Sequence, residues 1–475
     1  VRKKKEPIIL TDVLVEDYAA EGKSLARVDG KVIFIEQAIP GDVVDIQLWK
    51  NKKDWAAAVP LRFKSYSPTR LQPFCSHFGI CGGCQWQMLP YEEQLVYKQK
   101  QVADNLKRIG KIELPEISPI IGCAETRYYR NKLEYTFSTK RFIPEEEFRA
   151  MIAEGTYNKD EKTYAAGFHA KGKFDRVVTI DVCHLQKEPT NDIRKAIAQF
   201  ALDHNYSFYD IREHHGFLRN MQVRLATTGE LMINIMFGYE NADKREALLD
   251  YLLQHFPQIT TLLYTINGKR NDSISDLEPQ VYAGKGYIIE KLEDFEFKIS
   301  PKSFFQTNTK QAEKLYQVTR DFAELKGSET VYDLYCGTGS IGIFTSKQAK
   351  KIIGVEAVAE AIVDAKENAL LNKADHAVFY SGDVIDICNN DFFATHGKPD
   401  VVITDPPRAG MHGQLIEKLL EIEAPLIVYV SCNPATQARD LYLLSEKYTV
   451  TKIQPVDMFP HTHHIECVVQ LKKKD

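Results

Sequence analysis

Cys432 stands at the centre of IVYVSCNPATQARD, residues 427–440. Ile427, Val428 and Val430 read as a buried strand; Ser431-Cys432-Asn433-Pro434 turns the chain out of it, and a helix is expected from Ala435. A thiol at the carboxyl end of a strand in an open α/β sheet sits where such folds bind ligands. Taken alone, a cysteine is most often a small packing group. Three other stretches change that reading: the loop Asp333–Ser340 (DLYCGTGS), the turn Asp405-Pro406-Pro407-Arg408, and Glu466 near the carboxyl end. In their company Cys432 reads as a nucleophile.

A second set is CSHFGICGGCQWQ, residues 75–87, in which Cys75, Cys81 and Cys84 have the spacing C-x5-C-x2-C. Gly79, Gly82 and Gly83 let the backbone curl so that three thiolates converge. A fourth ligand could come from Cys123 or Cys183; Cys183 is preferred, because DVCHLQ ends a strand-like run. Four thiolates suit zinc and an iron–sulfur cluster alike. The chain has 9 cysteines, an odd number that argues against a disulfide framework and for metal binding or catalysis.

The glycine loop follows a strand and opens a helix, so Gly337 and Gly339 let backbone approach a ligand. Glu356 ends the next strand, where a carboxylate can accept both ribose hydroxyls. Asp383 ends the one after, placed to meet an adenine edge. GTGSIG also fits a dinucleotide fingerprint, so this loop alone allows either NAD or S-adenosylmethionine. The triplet His461, His463 and His464 reads as a loop positioning Glu466, since no carboxylate cluster accompanies it to make a metal site.

Positioning these groups takes several domains. With 475 residues the length suggests three. Residues 7–67 read as five short strands, with Asp29-Gly30 and Pro40-Gly41 as turns, and suggest a small OB-like barrel. A polar helix is expected at 91–109, and a mixed α+β region continues to about 295. Within it RYYRNKLEY, residues 127–135, sets three basic beside three aromatic side chains, suited to phosphate contact and base stacking. From 296 strands and helices alternate, the pattern of a doubly wound parallel sheet. The predicted division is 1–67, 68–295 and 296–475.

Net charge is −4 overall, but residues 1–140 carry +5 and the remainder −9, a basic front compatible with RNA contact. No apolar run reaches the ~20 residues of a membrane span. The start VRKKKEPIIL lacks the apolar core of a secretory signal, so a cytoplasmic protein is expected.

Two resemblances sharpen these expectations. EGKSLARVDGKVIFIEQAIPGDVV, residues 21–44, resembles the TRAM domain, an RNA-binding barrel. DLYCGTGS, GVEAV and the Asp-Pro-Pro turn resemble the class I methyltransferases. Related turns in amino-methyltransferases carry an aromatic where this chain has Arg408, which points away from an exocyclic nitrogen; a nucleophilic Cys432 at the end of the next strand points to carbon methylation instead. With SPKSFFQTN (300–308), TDPPRAG (404–410), VSCNPAT (430–436) and FPHTHHIECV (459–468), the chain resembles the bacterial RNA (uracil-5-)-methyltransferases of the RumA and TrmA kind.

That resemblance implies an S-adenosylmethionine site lined by Gln306, Tyr335, Glu356, Asp383 and Asp405, with Cys432 as nucleophile and Glu466 as base. It implies that Cys75, Cys81, Cys84 and Cys183 hold a [4Fe–4S] cluster rather than zinc. The barrel and the cluster match the 23S rRNA branch; the tRNA branch is expected to lack both. A tRNA enzyme, or a catalytically silent RNA-binding iron–sulfur protein, are the alternatives. A monomer with RNA as its partner, no membrane and no obligate protein partner is expected.

Overall fold

The computed structural model describes residues 7–159 and 161–475; the basic start, residues 1–6, lies outside the described residues. Alternating side chains in Ser24–Val28 and Lys31–Ile35 turn Ala26, Ile33 and Ile35 inward, and Asp29-Gly30, both at positive φ, closes the hairpin between them. With Ile8–Leu14, Val43–Asn51, Trp55–Ser65 and the two-residue strand Asp17-Tyr18 they form a six-stranded sheet around Val13, Val15, Val44 and Ile46. The sixth strand is too short to show alternation in sequence.

The central region is a seven-stranded sheet with Leu218–Leu225 and Leu231–Phe237 near its middle, both almost wholly buried. Helices Thr190–Asp203 and Ala242–His255 share its core through Ile193, Ile197, Leu248 and Leu252. Its far edge is the hairpin Ala165–His169 and Val177–Thr179. A helix not expected from sequence, Glu145–Glu154, has no buried residue.

The carboxyl-terminal sheet carries the chemistry. Helix α1 (Thr309–Ala323) precedes strand β1 (Thr330–Leu334), followed by α2 (Ser340–Thr345), β2 (Lys351–Glu356), α3 (Ala359–Leu371), β3 (Ala377–Ser381) and β4 (Val401–Thr404). Helix α4 (Gly413–Ile422), β5 (Leu426–Ser431), α5 (Pro434–Leu444), β6 (Tyr448–Val456) and β7 (Glu466–Lys473) complete it. The order is β3-β2-β1-β4-β5-β7-β6, parallel except for β7, which runs antiparallel to both neighbours. The carboxyl ends of β1–β5 therefore share one edge, with β1 and β4 adjacent where the strand order reverses, and ligands bind at such a crevice.

Segment 91–123 packs on this same unit. Val102 and Leu106 join the core that holds Ala438, Leu441 and Ile453, and Ile117 and Ile121 bridge to Ile453 and Val456 of β6. Lys98 pairs with Asp457 at 2.7 Å, both side chains fully buried.

Candidate active site

The glycine loop is shaped by burial of Asp333 in β1. Its Oδ2 accepts the Gly342 N–H at 2.8 Å, tying α2 back to the strand, and burial pushes its pKa up to about 7. Tyr335, Gly337 and Gly339 all have left-handed φ (62°, 54° and 75°). For a tyrosine that conformation is strained, and such strain gathers where a ligand is held. A Cβ at Gly339 would come 2.8 Å from Phe379, whereas one at Gly337 would meet nothing, so the loop is open on its outer side.

Glu356 at the end of β2 accepts the Gly337 N–H at 3.2 Å and the Val358 N–H at 2.9 Å, which fixes its carboxylate at the loop's mouth. Asp383, exposed after β3, accepts the Ile385 N–H at 2.9 Å as a helix cap. Asp405 follows β4, and burial raises its pKa to about 7. Gln306 is buried ahead of α1, its carbonyl held by Asn131 Nδ2 at 2.9 Å. Two carboxylates at neighbouring strand ends, an open glycine turn and a buried amide side chain fit a nucleoside with a charged tail.

Cys432 and Glu466 meet at the neighbouring strand ends. Ser431 of β5 pairs with Cys467 of β7, so the next step sets Cys432 opposite Glu466. Burial, then the nearby Glu466 and Asp405, push the thiol up to about 11, and the Arg408 guanidinium beside it opposes them. Burial, then Asp405, hold the Glu466 carboxyl well above the usual range, again with Arg408 opposing. In the sequence Arg408 stands out only as a missing aromatic; in the fold it is the cation shared by both groups. Its loop is pinned from α5: Asn433 Nδ2 and the Thr436 hydroxyl donate to the Arg408 carbonyl at 3.0 and 3.2 Å, and buried Asp440 accepts the Met411 N–H at 2.8 Å.

The histidine loop before Glu466 is clamped from the front of the chain. Gln85 and Trp86 donate their N–H groups to the His461 carbonyl at 2.8 and 3.0 Å. The Gln94 side chain accepts the His461 N–H at 2.8 Å, and Gln85 Oε1 lies 2.7 Å from His463 Nδ1. Burial lowers the pKa of His461 and His464 to about 4, which keeps both neutral.

Cys75, Cys81, Cys84 and Cys183 line one cavity of about 430 Å³. Burial pushes Cys84 up to about 12 and Cys183 to about 11, and the neighbouring thiols add to the rise in both. Backbone N–H groups of His77 and Phe78 reach Cys75, Gly83 reaches Cys81 and Leu185 reaches Cys183, the donors a bound thiolate needs. His77 Nε2 accepts the Asp181 N–H at 2.9 Å and joins the two segments. Among the described residues no three His, Cys, Asp or Glu side chains close to form a site for a single metal ion. A zinc would hold its sulfurs roughly 3.8 Å apart. Cys123 lies elsewhere, with its sulfur 3.1 Å from the Asp457 carbonyl.

The sheet order, the glycine loop and the acidic residues ending β2 and β3 define a class I S-adenosylmethionine-dependent methyltransferase. Comparison with known proteins gives its kind. The tRNA (uracil-5-)-methyltransferase family profile matches residues 277–474 and the TRAM domain profile matches 11–60. An RNA methyltransferase of Bacteroides thetaiotaomicron is 52% identical over 457 residues, covering 96% of this chain and 99% of that protein. Another, from Porphyromonas gingivalis, is 49% identical over 96% of this chain and 98% of its own length. The chain belongs to the RNA (uracil-5-)-methyltransferase family, of the RumA and TrmA type. The structure of Pyrococcus abyssi tRNA (uracil-54, C5)-methyltransferase with S-adenosyl-L-homocysteine is similar over 97% of this chain and 100% of that one, with TM-score 0.74 and 27% identity. Among the described residues, no helix is long and apolar enough to cross a membrane.

Proposed function

We propose that this enzyme methylates C5 of a uridine in 23S rRNA through a covalent bond between Cys432 and C6. The observation that carries the reading is the convergence of Cys432, Glu466 and Arg408 at adjoining strand ends. Uracil C5 is a poor nucleophile. Addition of the Cys432 thiolate to C6 breaks the C5–C6 double bond and leaves carbanion character at C5. S-adenosylmethionine supplies a methyl group on a sulfonium, which C5 takes in line. Glu466 then accepts the C5 proton, the double bond re-forms and the thiolate leaves.

The electrostatics support these roles. Asp405 and Glu466 repel a thiolate when ionised; burial favours the protonated form of Asp405, while Arg408, acting on both Cys432 and Glu466, favours the thiolate and the carboxylate that the two steps need. A carboxylate with raised proton affinity is also the stronger base toward a C–H bond. Gln306, Tyr335, Glu356, Asp383 and Asp405 would hold the cofactor, Glu356 at its ribose and Asp383 at its adenine. Since both faces of the C5–C6 bond are used, the uridine must leave its stack.

Cys75, Cys81, Cys84 and Cys183 would hold a [4Fe–4S] cluster, supported by the shared cavity and the N–H groups aimed at the sulfurs. This reading carries with it three domains with boundaries near 67 and 295, a cytoplasmic location, and a monomer without an obligate protein partner. The four clustered cysteines support the rRNA branch; the barrel does not separate the two readings, because the similarity to the Pyrococcus abyssi tRNA enzyme spans 97% of this chain. A tRNA substrate is the second reading, favoured by the near full-length similarity to the Pyrococcus abyssi tRNA enzyme.

Transfer of a tritiated methyl group to rRNA and tRNA transcripts, followed by mapping of the labelled nucleotide, tests both. Label at C5 of a uridine in 23S rRNA is expected. Label confined to tRNA would overturn the rRNA assignment, and label on any other atom would overturn the C5 chemistry.

A further inference from the structure

A second cavity, of about 370 Å³, lies at the outer edge of the central sheet. The chain leaves that sheet after Arg141 and returns at Thr163, pinned by the Arg141 N–H to the Thr163 carbonyl at 2.8 Å and by the Phe142 N–H to the Val177 carbonyl at 2.7 Å. The helix Glu145–Glu154 on this excursion contributes Phe148, which meets Tyr157 edge-to-face at 4.8 Å, and both rings line the cavity.

Six cationic side chains surround it against the carboxylates of Glu161 and Asp175. Arg141 is tied to Glu147, and Arg212 to Asp175 at 2.6 Å. Lys140, Lys159, Lys173 and Arg176 have no carboxylate within 4.0 Å among the described residues, although Asp210 and Asp175 lie near enough to feel the charges of Lys140 and Arg176. Unpaired like charges around one recess repel each other, and an anion that enters relieves the repulsion. The rings add a second requirement, because aromatic faces beside phosphate-binding cations suit an unstacked base. Phe174, 64% exposed, extends the apolar surface with the Arg212 guanidinium 5.4 Å from its ring.

The position supplies continuity with RNA-binding surface. The turn that carries Lys173 and Arg176 also carries Lys171, whose N–H donates to the Ile80 carbonyl at 2.9 Å and whose ammonium pairs with Glu36 of the barrel at 2.8 Å. One strip of surface therefore runs from the TRAM barrel, past the cysteine loop, to the cavity. The catalytic residues stand on a different sheet.

We propose that this cavity is an anchoring subsite for the substrate RNA, taking sugar–phosphate backbone and one unstacked base well outside the target uridine. The proposal rests on the RNA methyltransferase reading and adds to it a site that the reaction itself does not use.

The test compares full-length protein, prepared anaerobically, with the triple variant Lys140→Gln/Lys159→Gln/Lys173→Gln and with Tyr157→Ala. The probes are a long transcript that the wild type methylates and a short stem-loop trimmed around its target uridine. For the triple variant, affinity for the long RNA should fall about tenfold or more, and the slope of log affinity against log salt should flatten by roughly two to three, as loss of three phosphate contacts implies. Tyr157→Ala should weaken long-RNA binding with the slope unchanged. Methylation of the stem-loop and affinity for S-adenosylmethionine should match wild type in both. Photocrosslinking of 4-thiouridine RNA should label peptides between residues 140 and 176.

Unchanged long-RNA affinity and slope, or equal losses on the two RNAs, would overturn the subsite. So would displacement of RNA by polyglutamate without crosslinks in that segment, which would mark a site for an acidic protein. If the wild type methylates neither rRNA nor tRNA, the functional reading fails; binding and crosslinking on total RNA then still decide the cavity.

Discussion

Cys432 and Glu466 stand opposite each other one register step beyond the Ser431–Cys467 pair, at the open ends of β5 and β7. β7 is the antiparallel strand in an otherwise parallel neighbourhood, so its start, not its end, reaches the crevice. That reversal brings a residue from the far carboxyl end of the chain to face Cys432, the proposed nucleophile. The two groups can therefore act on opposite ends of one double bond, and their substitutions should fail in different ways.

Cys432→Ala is expected to abolish methyl transfer while leaving S-adenosylmethionine affinity within about twofold, since the thiol acts on uracil. Filter binding and single-turnover assays measure the two separately. Retention of more than about a tenth of wild-type turnover, roughly 1.4 kcal/mol of barrier, would count against the covalent route.

Glu466→Gln should allow addition and methyl transfer but block loss of the C5 proton. A protein–RNA adduct dependent on S-adenosylmethionine should accumulate as a slow band on denaturing gels. An inactive variant without that band would make Glu466 a structural residue.

Arg408→Gln should move the pH profile. Cys432, pushed up to about 11 by burial and its acidic neighbours, has its thiolate favoured by Arg408. Removing that cation makes the thiol a still weaker acid. At any pH well below the thiol pKa, a tenfold weaker acid carries about one-tenth of the thiolate. The rising limb of kcat/KM should therefore move to higher pH, with the deficit largest near neutrality. A uniformly lower profile with an unmoved limb would mean that Arg408 binds RNA without tuning the thiol.

Much of this site is legible in the sequence because its residues sit where pattern changes to turn chemistry. An apolar strand broken by Ser-Cys-Asn-Pro marks Cys432, and a strand followed by Gly-x-Gly marks the cofactor loop. The role of Arg408 is illegible because its partners come from strands 24 and 58 residues away along the chain. Helix α1 does carry a signal: Asn308 caps it, with Oδ1 accepting the Gln311 N–H at 3.3 Å, and Ala312, Leu315, Tyr316 and Thr319 bury at helical spacing. The helix Glu145–Glu154 has no buried face to generate a period.

Lys98 and Asp457 show how the front of the chain is fastened to the catalytic unit, and no spacing rule connects residues so far apart. Lys98→Met should destabilise by about 3–5 kcal/mol, the usual result of leaving a buried charge without its partner. Lys98→Met/Asp457→Asn should recover more than half of that loss in thermal unfolding. An additive double variant would show that the pair is not coupled.

The last prediction concerns the four clustered thiols. Burial raises all of them, and those of Cys81, Cys84 and Cys183 are also opposed by the charge of a neighbouring thiolate, so four thiolates there require a cation among them. Anaerobically prepared protein should be brown and contain about four iron atoms per chain, as a cuboidal cluster with four cysteine ligands implies. Cys183→Ser should lose iron as completely as Cys81→Ser, although Cys183 lies about a hundred residues further along. The reason lies in the closure of the cavity, since Cys183 supplies the wall that the 75–84 loop lacks and His77 bonds back to Asp181. Loss of the cluster should free Gln85 and Trp86 from the His461 carbonyl, and with them the loop leading to Glu466. RNA affinity and adduct formation should therefore fall before S-adenosylmethionine affinity does, because Glu356 and Asp383, proposed for its ribose and adenine, end β2 and follow β3, away from that loop. Stoichiometric zinc in the anaerobic protein, or a full iron complement in Cys183→Ser, would overturn the four-thiolate cluster.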